Sequence, residues 1–246
     1  LPTPNNYRSA SGAPGKDYWQ QRADYDMKIF LDDEKQRLIG SEKITYYNNS
    51  PDNLSYLWVQ LDQNVRSNES ETPLISTNRM SYALDGKRLQ SITNNYSNAD
   101  GGRFNGGFKI NSVLGEKNTP LQYTIIKTMM RIDLKNSLKP GETFVFNIDW
   151  SYNINDRMSV GGRGGYEYFP DDKNYSYTIA QFYPRMVVYD DKEGWQNKQF
   201  LGRGEFALNF GNFNLEITVP SDFIVGATGN LENPENVLSK NELNKY

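Results

Sequence analysis

Between residues 24 and 31 the chain alternates: Tyr25, Met27, Ile29 and Leu31 are apolar and fall on one face, and Asp24, Asp26 and Lys28 fall on the other. A period of two puts successive side chains on opposite faces of an extended backbone, so this stretch reads as a half-buried strand. The same rhythm recurs along the chain. Residues 38 to 47 form a second strand, closed by Asn48-Asn-Ser-Pro-Asp, and residues 54–61 a third. Asp85-Gly86 reads as a hairpin turn between 80–84 and 88–93. Met130, Ile132 and Leu134 share one face, as do Phe144, Phe146, Ile148 and Trp150. Residues 205–210 and 213–219 read as a hairpin closed by Gly211-Asn212, and 223–228 as a last strand. No long stretch carries a 3.6-residue period. The one helix expected starts near Asn233-Pro234-Glu235, where proline fits the first turn. Many short strands joined by turns imply an all-β protein, a saddle-like antiparallel β-sandwich. The expected organisation is an extended arm over 1–16, a β-domain over 17–232 and the start of a linker or helix over 233–246.

Composition excludes several chemistries. The 246 residues include no His and no Cys. Disulfides, thiolate nucleophiles and Ser-His-Asp triads are therefore impossible, as is a zinc site of the usual His or Cys type. Carboxylate, lysine or tyrosine catalysis and oxygen-ligand cations such as calcium remain. The 27 Lys+Arg against 30 Asp+Glu give a net charge of -3, so no basic excess points to nucleic acid. No apolar run is long enough to span a bilayer. A start at Leu1-Pro-Thr-Pro fits either a boundary within a longer chain or a mature end left by signal-peptide removal. Asn48, Asn68, Asn95 and Asn174 head N-x-S/T triplets, which an Asn-rich chain contains by chance.

Each candidate site has a bland competitor. Residues 94–107 and 159–175 are expected to be loops, the second built on Gly161-Gly-Arg-Gly-Gly. A phosphate cradle needs a helix and Lys-Ser/Thr after it, whereas Tyr166-Glu-Tyr-Phe follows here, so a flexible turn is the reading. Asp32-Asp33-Glu34, Asp171-Asp172 and Asp190-Asp191 lack the alternation of a calcium loop and read as solvated turn charge. Trp58 and Trp150 lie in apolar strands and are expected in the core. Trp19 and Trp195 lie in polar surroundings and are the candidate platforms for stacking on sugar rings. The segment 177–191 joins Gln181, Arg185 and Asp190 to apolar residues around Pro184. Proline disfavours a central strand, which makes this an edge or a bend and leaves Gln181 near a surface.

Several of these segments together resemble a known family. Tyr25-Asp-Met-Lys-Ile-Phe-Leu-Asp, Gly40-Ser-Glu-Lys-Ile-Thr-Tyr-Tyr-Asn-Asn-Ser, Leu138-Lys-Pro-Gly-Glu, Ala180-Gln181 before a proline, Asp190, and Phe223-Ile-Val-Gly-Ala-Thr-Gly occur in this order. The order is similar to that of the N-terminal domain of gluzincin zinc aminopeptidases of the aminopeptidase N-like family. Gln181-Phe-Tyr-Pro-Arg, Tyr189-Asp-Asp, Gly194-Trp195 and Leu201-Gly-Arg-Gly-Glu-Phe resemble its Bacteroidetes-type branch.

The resemblance implies a β-saddle beside a catalytic domain that carries zinc. This chain itself would hold no metal or cofactor and would supply no catalytic residue. Its partners would be its own catalytic domain and the free amino end of a peptide. The resemblance assigns substrate binding to Gln181 and, at the second position of the family's motif, to Tyr183. Ala180 stands where the family usually has Thr, and Arg185 comes sooner than the family's Arg. The implied location is periplasmic, secreted or at the surface of a bacterium. An exported carbohydrate-binding or adhesive β-sandwich stays open as an alternative, and a carboxylate glycosidase as a third reading.

Overall fold

The computed structural model describes residues 3–72, 83, 85, 86, 104–202 and 207–245. The strands are β1 (Arg22–Asp32), β2 (Arg37–Tyr47), β3 (Leu54–Gln60), β4 (Lys109–Leu114), β5 (Gln122–Ile126), β6 (Met129–Leu138) and β7 (Thr143–Asn153). They continue with β8 (Gly165–Phe169), β9 (Asn174–Thr178), β10 (Arg185–Met186), β11 (Tyr189–Asp190), β12 (Gly194–Trp195) and β13 (Phe213–Thr218). Short helices are α1 (Arg157–Val160), α2 (Pro234–Val237) and α3 (Lys240–Leu243). The hairpin expected around Asp85-Gly86, most of the 94–107 loop and part of the strand 205–210 lie outside the described residues.

Two sheets dominate. One has the order β13-β1-β2-β7-β4, the other β10-β3-β6-β5. Ala23, Tyr25, Met27, Ile29 and Leu31 of β1 are buried, as are Phe146, Ile148 and Trp150 of β7. They form one apolar cluster with Leu57, Val59, Met130 and Ile132 of the second sheet. Facing sheets that share one core make an all-β sandwich. Gly40 of β2 pairs with Trp150, and a Cβ there would sit 2.2 Å from the indole. The glycine lets the largest core side chain lie flat against the neighbouring strand.

Several details depart from expectation. β13 runs parallel to β1, from Tyr25 opposite Phe213 to Phe30 opposite Thr218. No hairpin turns at Gly211-Asn212, because these residues already follow β1. Ala23 N donates to Phe210 O at 3.1 Å and Tyr25 N to Asn212 O at 2.9 Å. Residues 223–228 form no strand, and Ile224 is 80% exposed. The expected loop 159–175 holds the end of α1 and all of β8, and β8 pairs antiparallel with β9. The tail helix is broken in two, with Leu238 extended between the pieces. Ser239 and Glu242 form a capping box that starts α3 afresh. Trp58 is half-buried, because Leu57 and Val59 take the inward positions of β3.

Candidate functional site

The segment after β9 is held by a polar turn that sequence reasoning did not single out. Leu61 ends β3's run, and Asp62–Arg66 then winds into a short 3-10 turn with Asp62, Gln63 and Asn64 buried. Leu61 N donates to Thr128 O at 2.8 Å, and Asn64 Nδ2 donates to Lys127 O at 2.6 Å. These bonds pin the turn to the β5–β6 hairpin. Buried polar groups need partners, and each buried residue of the turn has one.

Asp62 meets Arg185 of β10. The guanidinium Nε lies 2.8 Å from Oδ2 and Nη2 donates to Oδ1 at 3.0 Å, with both residues almost fully buried. Gln60 Nε2 adds a bond of 2.8 Å to the same carboxylate. Burial pushes the Asp62 carboxyl up despite the opposing pull of Arg185. Pro184 precedes this short strand, which occupies the sheet edge expected of a proline-containing segment.

Gln63 holds the neighbouring backbone. Its Nε2 donates to Ala180 O at 3.1 Å and to Gln181 O at 3.0 Å, and its Oε1 accepts from Arg66 Nη1 at 2.9 Å. Gln181 is thereby kept at φ 53°, in the left-handed region that a side chain with Cβ disfavours. Its side chain is exposed and makes no hydrogen bond among the described residues. The glycine loop borders this spot: a Cβ on Gly162 would lie 2.7 Å from Arg66 Nη2, and one on Gly164 would lie 3.1 Å from Thr178 O.

Tyr183 turns the other way. Its ring packs on Tyr25 at 5.3 Å, Phe182 at 5.1 Å and Phe213 at 6.2 Å. Burial raises its hydroxyl to about 12. The structure thus presents the Gln181 side chain to solvent and sets the Tyr183 ring against the core.

The remaining candidates resolve structurally. Asp191 is clamped by Arg8, whose Nε lies 2.8 Å from Oδ2 and whose Nη2 lies 2.8 Å from Oδ1. Asp190 accepts from Lys192 N, Glu193 N and Gln196 Nε2. Asp32 pairs with Arg37, and Asp33 accepts from the Tyr177 hydroxyl at 2.5 Å. These four carboxylates are therefore tethered rather than freely solvated, whereas Asp171 and Asp172 are exposed. In the glycine loop Asn155 Nδ2 donates to the carbonyls of Gly161 and Gly164, and a strand follows, which is not a phosphate cradle. Asn48 is fully buried and donates to Asp52 O and Leu138 O.

Trp195 is covered by Tyr189 at 5.0 Å and Tyr46 at 6.2 Å. Trp19 stacks on Tyr189 at 5.7 Å and lines an open cleft of about 450 Å³ with Tyr7, Asp17, Asn49 and Pro51.

A second unanticipated residue is Glu42 in the middle of β2. It is 1% exposed, and neither carboxylate oxygen has a hydrogen-bond partner. Burial raises its carboxyl well above the usual range. The parity of Leu38, Gly40, Ile44 and Tyr46 already turns Glu42 inward, so alternation was the available signal. Nothing comparable marks Asp62–Arg66, whose partners come from distant parts of the chain.

No protein-family model matches the sequence, and no curated protein does. Among solved structures, an M1 zinc metallopeptidase from Deinococcus radiodurans is similar at 12% identity and a TM-score of 0.39, over 82% of this chain and 33% of the other. A two-domain M1 zinc metallopeptidase mutant bound to L-tryptophan aligns at 12% identity and 0.39, over 85% and 35%. This chain thus spans about a third of the length of those chains. A likeness this distant assigns no activity.

Proposed function

We propose that this chain is a non-catalytic β-domain of a zinc aminopeptidase of the aminopeptidase N-like gluzincin family, of the Bacteroidetes-type branch and exported. The ordered run of motifs from Tyr25 to Phe223 supports the family reading. The residues here do not fit zinc. The chain has no His or Cys, and no cluster of acidic donors able to hold a metal occurs among the described residues. In this reading the metal belongs to another domain.

The observation that carries the substrate role is Gln181. Its amide is exposed while Gln63 holds the two carbonyls around it, so the side chain projects from a fixed backbone. A neutral amide oxygen held in this way accepts a hydrogen bond from a peptide's terminal ammonium, and its preset backbone reduces the ordering cost.

Gln181→Ala in the full-length parent should lower kcat/KM for peptides by about tenfold, the loss of one hydrogen bond to a charged group. Unchanged kinetics would remove Gln181 from the site. The chain alone should bind no stoichiometric zinc and cleave no aminoacyl substrate; zinc-dependent cleavage by it would defeat the proposal.

The cleft beside Trp19 favours a second reading, a carbohydrate-binding sandwich. Trp19 lines this cleft beside Tyr7, Asp17 and Asn49, a mix of aromatic and polar groups suited to contacts with a sugar. Glycan-array binding lost in Trp19→Ala would support it, and no binding would end it.

A further inference from the structure

Among the described residues β5 is an edge strand with no partner on its outer side. All five of its residues are exposed, and it is bonded to β6 alone in its sheet. Ile126 and Met129 flank the two-residue turn Lys127-Thr128 and lie opposite one another. Flanking residues of such a tight turn exchange both backbone hydrogen bonds, and bonded and non-bonded positions alternate from there. Ile126, Thr124 and Gln122 therefore direct their backbone groups at β6, and those of Tyr123 and Ile125 point away from it. Neither residue makes a backbone hydrogen bond outside the sheet among the described residues.

The side chains follow the same alternation. Tyr123 lies opposite Ile132 and Ile125 opposite Met130, both buried in the core. Tyr123 and Ile125 thus belong to the core face of the sheet, yet they are 38% and 39% exposed. This apolar row lies at the rim of the sandwich, beside backbone groups that have no hydrogen-bond partner among the described residues. Such an edge is a template for another strand.

From this we infer that β5 pairs antiparallel with β5 of a second copy, about a two-fold axis at Thr124. In this register Tyr123 faces Ile125 of the second copy, and the reverse, so the outward backbone groups of both residues are satisfied together. The side-chain pairs are aromatic on β-branched, the favourable kind. Thr124 faces Thr124, Gln122 faces Ile126 and Leu121 faces Lys127, so no like charges are opposed. Nearby charges are already matched, Arg131 with Asp133 and Lys127 with Glu71. The contact is isologous, so it closes at a dimer and joins two four-stranded sheets into one. With only a short strand on each side, the dimer is weak and forms at high concentration.

Sedimentation-equilibrium of the chain from about 10 µM to about 1 mM tests this, a range suited to a weak complex. A monomer–dimer equilibrium is expected. Thr124→Lys sets like charges opposite each other at the two-fold and should raise the dimer Kd about fivefold. An equimolar mixture of Thr124→Lys and Thr124→Glu should recover association as a heterodimer. Circular dichroism of each variant alone confirms that it folds. Three results would overturn the inference: a monomer throughout, open-ended association, or a dimer indifferent to both substitutions. The first would leave this edge to a different partner, and the last would place the contact elsewhere.

Discussion

Glu42→Gln should make the protein more stable as pH rises, by an amount that depends on pH in a defined way. Glu42 sits between Met27 of β1 and Ile148 of β7, on the inward face of β2. With neither oxygen partnered, the folded protein holds it in its neutral form. The unfolded chain releases that proton near the ordinary carboxylate value of about 4.3. Below this value both states bear the proton, and the carboxyl has no pH-dependent effect. Above it, the unfolded state gains stability by about 1.4 kcal/mol per pH unit, until the pH passes the raised value of the folded state. The glutamine has nearly the same shape and cannot ionise. Its advantage over wild type should therefore be small at about pH 4 and grow by about 1.4 kcal/mol for each pH unit above the unfolded value, until the folded carboxyl itself ionises. Urea denaturation of both proteins at several pH values measures the difference, in which every other titrating group cancels. Parallel stability–pH curves would refute the reasoning, since they would mean that Glu42 is solvated or paired in the folded state.

Other substitutions test other parts of the structure. Gln181→Gly should raise stability by about 1 kcal/mol in chemical denaturation, because glycine tolerates the left-handed backbone there. Asp62→Ala should cost about 3–5 kcal/mol by removing the carboxylate from a guanidinium that is 5% exposed. Gly40→Ala forces a methyl group into the Trp150 indole and should cost about 1–3 kcal/mol or more. Its near-ultraviolet circular dichroism should change as the indole shifts.

The strands whose one face is buried were legible because each carries its own pattern. In β1, β2 and β7 the inward positions are those that alternation selects, Trp150 and Glu42 included. The parallel pairing of β13 with β1 was not legible. Residues 210–212 have turn-like composition, and only the approach of Gly211 to Ala23 O shows that they run alongside a distant strand. The glycine loop likewise concealed the β8–β9 hairpin. Glycine signals a turn without saying what the flanking tyrosines pair with.

Sequence by itself determined the all-β class, the inward-facing residues of the long strands, and the absence of any His or Cys donor. These follow from local periodicity and from composition, which need no knowledge of neighbours. Tertiary structure decided which strands adjoin and that β13 runs parallel. It set Gln63 of one turn to hold the backbone of Gln181, and among the described residues it left the outer edge of β5 without a partner. Those outcomes depend on hydrogen bonds between residues far apart in the chain, and no local pattern encodes such partners.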